Sequence, residues 1–206
     1  MRTLRMLLMP ALMAALLGVA APPASAQGSG VWQGFHQESE SLYQEGKFEA
    51  ARAKAQQALR LAELEGGPES PAAFMSLNVM GASLASLGRY DEAASALKRA
   101  IAMLEKAEGA GHQALVMPVT NYAGVLMLQG RYSDAEPLLR QALGIAEKTF
   151  GPASGDVAMI LDTHAGLLER MGRPRDAEPL RVRAVSILDK VHGPGSPELA
   201  YGLVGL

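Results

Sequence analysis

A glycine returns every 42 residues along this chain, at Gly46, Gly88, Gly130 and Gly172. Each opens nearly the same phrase. The copies read Gly46-Lys47-Phe48-Glu49-Ala50-Ala51, Gly88-Arg89-Tyr90-Asp91-Glu92-Ala93, Gly130-Arg131-Tyr132-Ser133-Asp134-Ala135-Glu136-Pro137-Leu138 and Gly172-Arg173-Pro174-Arg175-Asp176-Ala177-Glu178-Pro179-Leu180. A second set, Gly67, Gly109, Gly151 and Gly193, keeps the same step, and proline follows three of its members at Pro68, Pro152 and Pro194. In-phase copies without insertion or deletion mark a repeat architecture. In such a fold each copy is one small unit that buries its apolar face against its neighbours.

Within a copy the apolar spacing is helical on both sides of the first glycine. In the second copy Leu77, Met80, Gly81 and Leu84 stand at i, i+3, i+4 and i+7, and Tyr90, Ala93, Leu97, Ala100 and Ile101 draw a second stripe. Gly88 between them can enter the left-handed conformation that closes a helix. So short a turn requires the two helices to lie antiparallel. Ala93 and Ala100 fit places where the axes approach to about 8–10 Å.

The joints between copies carry stop and start signals. Gly151-Pro152 ends one helix and Ser154 can cap the next, while Ser70-Pro71 and Ser196-Pro197 pair a capping serine with proline at the first helical position. Asp156 and Glu198 fall in first turns, where the helix dipole favours negative charge. The joint Ala110-Gly111-His112 has neither serine nor proline, and Pro118 sits six residues inside the expected start. That helix therefore begins near Met117 or bends at Pro118. Pro137 and Pro179 are expected early in second helices, where a missing donor matters little.

The two ends differ from the repeats. Arg2 and Arg5 precede an apolar run from Met6 to Ala21, and Ala24-Ser25-Ala26 offers a small-residue cleavage site, the layout of a secretory signal peptide over residues 1–26. The run is shorter than the ~20 residues a membrane span needs, which leaves an uncleaved anchor as the alternative. Without cysteine at the cleavage site, lipid attachment there is excluded. The expected location is the periplasm if the source is Gram-negative. Residues 27–34 read as a flexible lead-in, with Trp32 and Phe35 covering the open end of the first repeat. At the other end, residues 197–206 read as a terminal helix without a partner. Its apolar close, Leu203-Val204-Gly205-Leu206, either folds back over the last repeat or meets another molecule.

Composition removes several chemistries. The chain of 206 residues has a formal net charge of −2 and no cysteine, so nothing points to nucleic acid, disulfides, thiolate catalysis or a cysteine-ligated metal. Gly46-Lys47 lacks the preceding glycine of a phosphate loop, and no Gly-x-Ser-x-Gly elbow is present. The histidines His36, His112, His164 and His192 lack metal-ligand spacing. His164 occupies a core-leucine place and is expected to be partly buried and hydrogen-bonded. No catalytic residue, metal or cofactor is expected.

The phrase Leu77-x-x-Met80-Gly81-x-x-Leu84, then Gly88, Ala93-x-x-x-Leu97 and Ala100, resembles a tetratricopeptide repeat. The usual period of that repeat is about 34; the 42-residue step, the Gly-Arg-Tyr-x-(Asp/Glu)-Ala-Glu-Pro-Leu wording and the Gly-Pro joints are more similar to the kinesin light chain subtype. The resemblance runs from about Phe35 to Leu206. It implies an all-α fold, a right-handed α-solenoid of antiparallel helix pairs, with about four repeats plus a terminal half-repeat and first helices lining a concave groove. In kinesin-light-chain-like repeats paired asparagines of a Leu-Asn-Asn-Leu-Ala motif bind a peptide backbone in that groove. The matching segments here are Leu77-Asn78-Val79-Met80-Gly81, Val119-Thr120-Asn121-Tyr122-Ala123 and Leu161-Asp162-Thr163-His164-Ala165. Asn78 and Asn121 match, one per repeat; Thr120 and Asp162 stand in the same segments.

Helical phase sets Met75, Met117 and Met159 toward that face, then Ala82, Gly124 and Gly166, with Met127 and Glu169 beyond. Small residues leave room there, and methionines make a soft apolar surface. The same methionines could instead pack between neighbouring helices. The expected function is a non-enzymatic adaptor that holds a protein or peptide segment in the groove. The alternatives are a structural chain self-associating, possible as a homo-oligomer through its C-terminal end, and an accessory subunit of a cell-envelope enzyme.

Overall fold

The computed structural model describes residues 30–193. The signal-peptide segment 1–26, residues 27–29 of the lead-in, and the terminal helix 197–206 with its Ser196-Pro197 start lie outside the described residues. Every regular element among the described residues is helical. The elements are α1 (Gly30–Gln44), α2 (Phe48–Gly66), α3 (Pro71–Ser86), α4 (Tyr90–Glu108), a short 3-10 turn (Gln113–Leu115), α5 (Val116–Leu128), α6 (Tyr132–Phe150), α7 (Gly155–Arg170) and α8 (Pro174–His192). They fall into two compact units that divide after Ala110. None of these helices is long and apolar enough to cross a membrane.

All eight glycines of the 42-residue pattern, and no other described residue, have positive φ, between 74° and 87°. At the first set the turn closes the preceding helix in one manner four times. Arg89 N–H donates to Leu84 C=O at 2.9 Å and Gly88 N–H to Ala85 C=O at 3.0 Å, and the same pair of bonds recurs at Gly46, Gly130 and Gly172. This double closure satisfies carbonyls that a helix end leaves unpaired, and it requires a left-handed residue that glycine adopts without strain. The arginine after the glycine then folds onto the first turn of the next helix. Arg89 reaches Glu92, Arg131 reaches Asp134 and Arg173 reaches Asp176, each at 2.6–2.8 Å.

In the first unit, α1 to α4 pack as two helix pairs. Trp32, Ala58, Leu59, Ala62, Ala72, Ala73, Leu77, Ala96, Ala100 and Met103 form one buried cluster. The lead-in expected over residues 27–34 is already helical from Gly30, because Trp32 is buried in that cluster and its indole N–H donates to Ser76 Oγ at 3.0 Å. Ala93 and Ala100 are fully buried, and an added Cβ on Gly81 would meet Leu97 Cγ at 2.6 Å, so this crossing admits no larger residue. Arg99 of α4 fastens the joint before α3, donating to Glu63 at 2.6 Å and to Pro68 C=O at 3.2 Å.

The second unit, α5 to α8, repeats these devices. Arg183 ties to Glu147 at 2.6 Å and to Pro152 C=O at 3.0 Å, two periods after the Arg99 clip. Ala135, Leu139, Ala142, Leu161 and Ala165 are fully buried. Pro137 and Pro179 are each the sixth residue of their helices, past the first turn whose amides have no intrahelical partner. The carbonyls they leave without an amide partner belong to Ser133 and Arg175, both exposed, so water can take them.

The helix with Pro118 begins at Val116, one residue before the start near Met117 that was one of the two expectations. Pro118 lies within its first turn, after the 3-10 turn. His112 stands one period after Ser70 and one before Ser154. Those serines cap α3 and α7 through Ala73 N–H at 3.2 Å and Val157 N–H at 3.3 Å; His112 takes their place, its Nδ1 accepting from Ala114 N–H at 3.4 Å. That bond is long and closes only a 3-10 turn. Amides of residues 110–113 are therefore expected to exchange with solvent faster than those of 67–70 or 151–154 by native-state hydrogen exchange. Equal protection at the three joints would contradict this account.

Candidate functional site

The first helices of the pairs carry the candidate interface. In the first unit α1 and α3 touch. Met75 is half-buried and packs against the buried cluster around Trp32, so there the packing alternative describes it. Asn78 is buried, as is His36 one period earlier, which stacks on Trp32 with ring centroids 5.0 Å apart.

In the second unit α5 and α7 touch and present a shared set of positions. Met117, Gly124 and Met127 on α5, and Met159, Asp162 and Gly166 on α7, are all half-buried, and Glu169 is exposed. Positions 159, 162, 166 and 169 follow the spacing of one helix face. Gly124 and Gly166 lie in helix interiors with ordinary φ, and a Cβ at either would meet nothing within 4 Å. Neither packing nor backbone conformation calls for glycine there. Thr120 and Asn121 differ from the rest because both are buried. The Thr120 hydroxyl donates to Val116 C=O at 2.7 Å, which commits it to its own helix.

Two charged clusters were not singled out from sequence. The first centres on Arg181 of α8, only 8% exposed, whose Nη1 lies 3.0 Å from Glu169 and whose Nε lies 3.7 Å from Asp162. Burial raises the Asp162 pKa; Arg181 opposes that shift and Glu169 reinforces it, leaving the carboxyl above its usual value. The signal for this cluster was positional: Arg181 stands one period after Leu139 and two after Leu97, both fully buried leucines.

The second cluster centres on Glu136, which receives Arg173 at 3.1 Å and Arg140, and faces His164 Nε2 at 3.9 Å. Burial pushes the Glu136 carboxyl up, but Arg173 and Arg140 together more than offset it and hold it below its usual value. His164 is buried as befits a core-leucine place, but contrary to the expectation of a hydrogen-bonded ring neither ring nitrogen makes a hydrogen bond, and Glu136 stands 3.9 Å from Nε2. Burial lowers the His164 pKa, only partly countered by Glu136 and reinforced by Arg140 and Arg173. With the folded-state value below the unfolded 6.5, the unfolded chain binds the extra proton first as pH falls. The stability His164 contributes is thus complete above pH ~6.5 and is lost as pH drops through the lowered value. The thermal midpoint is expected to fall below pH ~6.5, and less steeply in His164→Leu; equal slopes would contradict the assignment.

Comparison with known proteins agrees with this architecture. The tetratricopeptide repeat family matches over residues 35–106 and 114–190. The fold is similar to BtubC (BKLC) from P. vanneervenii, with a TM-score of 0.73 at 18% identity, covering 84% of this chain and 69% of that one. It is also similar to a putative kinesin light chain with nearly identical TPR-like repeats from Podosopora anserina, with a TM-score of 0.72 at 19% identity, covering 85% of this chain and 83% of that one. No curated protein is significantly similar to the chain. The fold class is therefore the all-α solenoid of antiparallel helix pairs expected from the sequence.

Proposed function

Because the chain belongs to the tetratricopeptide repeat family, whose members are in general protein-interaction scaffolds, we propose that it is a non-catalytic adaptor whose α5–α7 face holds a segment of a partner protein. The observation that carries this reading is the pair Gly124 and Gly166. A glycine in a helix interior is less stable than alanine by about 0.5–1 kcal/mol, and here it relieves no clash and serves no special φ. What the two glycines provide is a low floor between half-buried methionines, into which a segment can settle. By its residues 1–26 we place the adaptor in the periplasm, after removal of that segment.

In-cell photocrosslinking tests this. A photoreactive residue at Met127 is expected to give a distinct adduct, whose partner mass spectrometry would name. The same residue at Arg140, exposed on α6, is expected to give none. No adduct at Met127, or the same adducts at both positions, would remove the groove reading. Self-adducts would favour the assembly alternative, which light scattering on the purified chain tests separately.

A further inference from the structure

The second unit buries one cation that its repeat pattern does not require. Arg181 takes the place held by Leu97 and Leu139, and it faces two carboxylates of α7 with one guanidinium. Its Nη1 is bonded to Glu169. At 3.7 Å its Nε stops short of Asp162, and this buried N–H meets no hydrogen-bond acceptor. The guanidinium is thus hydrogen-bonded to one carboxylate and offers the other only a longer ion pair, so a single cation serves two acids. Asp162 is 35% exposed and accepts no hydrogen bond from the described residues.

The placement of the two acids gives this imbalance a direction. Asp162 and Glu169 are seven residues apart, two turns along one face of α7, with Gly166 and open space between them. Arg170 follows Glu169 but points roughly 100° round the helix. The neighbouring positions on α5, Met117, Gly124 and Met127, carry no charge. The face therefore presents a net negative charge in an apolar surround, and a cation set between the acids would balance Arg181, Asp162 and Glu169 to zero. A charge held in a half-buried site is worth more than one on an open surface.

Resting on the groove reading above, we propose that the segment held on the α5–α7 face is basic. A lysine or arginine side chain sits over Gly166 between Asp162 and Glu169, and its apolar neighbours lie against Met127 and Met159. An acidic segment is disfavoured at the same place by two like charges.

The test uses fluorescence anisotropy with the purified chain and labelled peptides sharing one alanine–leucine frame, with a central lysine, glutamate or alanine. The lysine peptide is expected to bind at least tenfold more tightly than the glutamate peptide at low salt, with the ratio shrinking as salt rises. Asp162→Asn with Glu169→Gln should abolish that ratio. Arg181→Leu restores the leucine of two other repeats, so the fold is expected to persist while the preference widens.

Equal binding of the lysine and glutamate peptides, or preference for glutamate, overturns the proposal. So does a failure of every peptide to bind. In each case a persisting Met127 adduct would show that the groove reading stands without the charge assignment. Loss of that adduct as well would remove both.

Discussion

Leu97→Ala is expected to lower the free energy of unfolding by about 2–5 kcal/mol, the largest stability effect of any single truncation proposed here. Leu97 is fully buried, and it fills the space over Gly81, where an added Cβ would lie 2.6 Å from its Cγ and 2.9 Å from its Cδ2. Removing the side chain leaves a cavity that the closely spaced alanines cannot collapse into. Gly81→Ala is expected to destabilise for the opposite reason, by about 1–3 kcal/mol, because the buried leucine has nowhere to move. The two changes together shift a methyl group across the crossing instead of deleting or adding one. The double variant should therefore be less destabilised than the sum of the singles, with coupling on the order of 1 kcal/mol in urea unfolding followed by helical circular dichroism. Strict additivity would show that the two residues do not share this space.

The largest functional effect is expected from filling the other two helix-interior glycines. Gly124→Leu with Gly166→Leu sets Cβ atoms into open space and replaces a poor helix former with a good one, so the thermal midpoint should hold or rise. Partner capture at Met127 should nevertheless disappear, since the low floor is gone. A rising midpoint with a lost adduct separates binding from folding in one pair of measurements. An adduct of undiminished yield would mean that the segment lies elsewhere. Gly81 is the internal control, because there the same kind of change is expected to damage the fold.

The helix pairs were legible because glycine at a positive-φ turn leaves a mark that period counting detects, and the eight glycines of the pattern are the eight positive-φ residues of the described chain. The helix starts at Pro71 and Gly155 were legible through Ser70 and Ser154. The start near Met117 was left open because His112 is not a residue one expects at a cap, although its register with those serines pointed to it. The helical state of residues 30–34 was missed because Gly30 and Gly34 suggest freedom, whereas the burial of Trp32 decides the matter and is a tertiary contact. Helical phase supplied the candidate positions on α5 and α7, most of which are half-buried. Phase alone could not tell that Met75 packs inward or that Thr120 bonds its own helix, nor that Arg181 reaches two acids, since side-chain direction depends on what the neighbouring helix leaves free.

The two arginine clips bear on how such a chain can lengthen. Arg99 and Arg183 each reach back to the proline carbonyl of a Gly-Pro joint, whereas Gln57 and Gln141 stand at the matching positions of the other two repeats. Arginine and glutamine thus alternate at this position of the repeat. Duplicating a single copy would set two like residues at successive copies of this position, while duplicating an adjacent pair preserves the alternation at any length. The smallest segment that this array can copy without changing its own rhythm is therefore two repeats, and a variant built by inserting or deleting one pair should keep every joint in the company it has now.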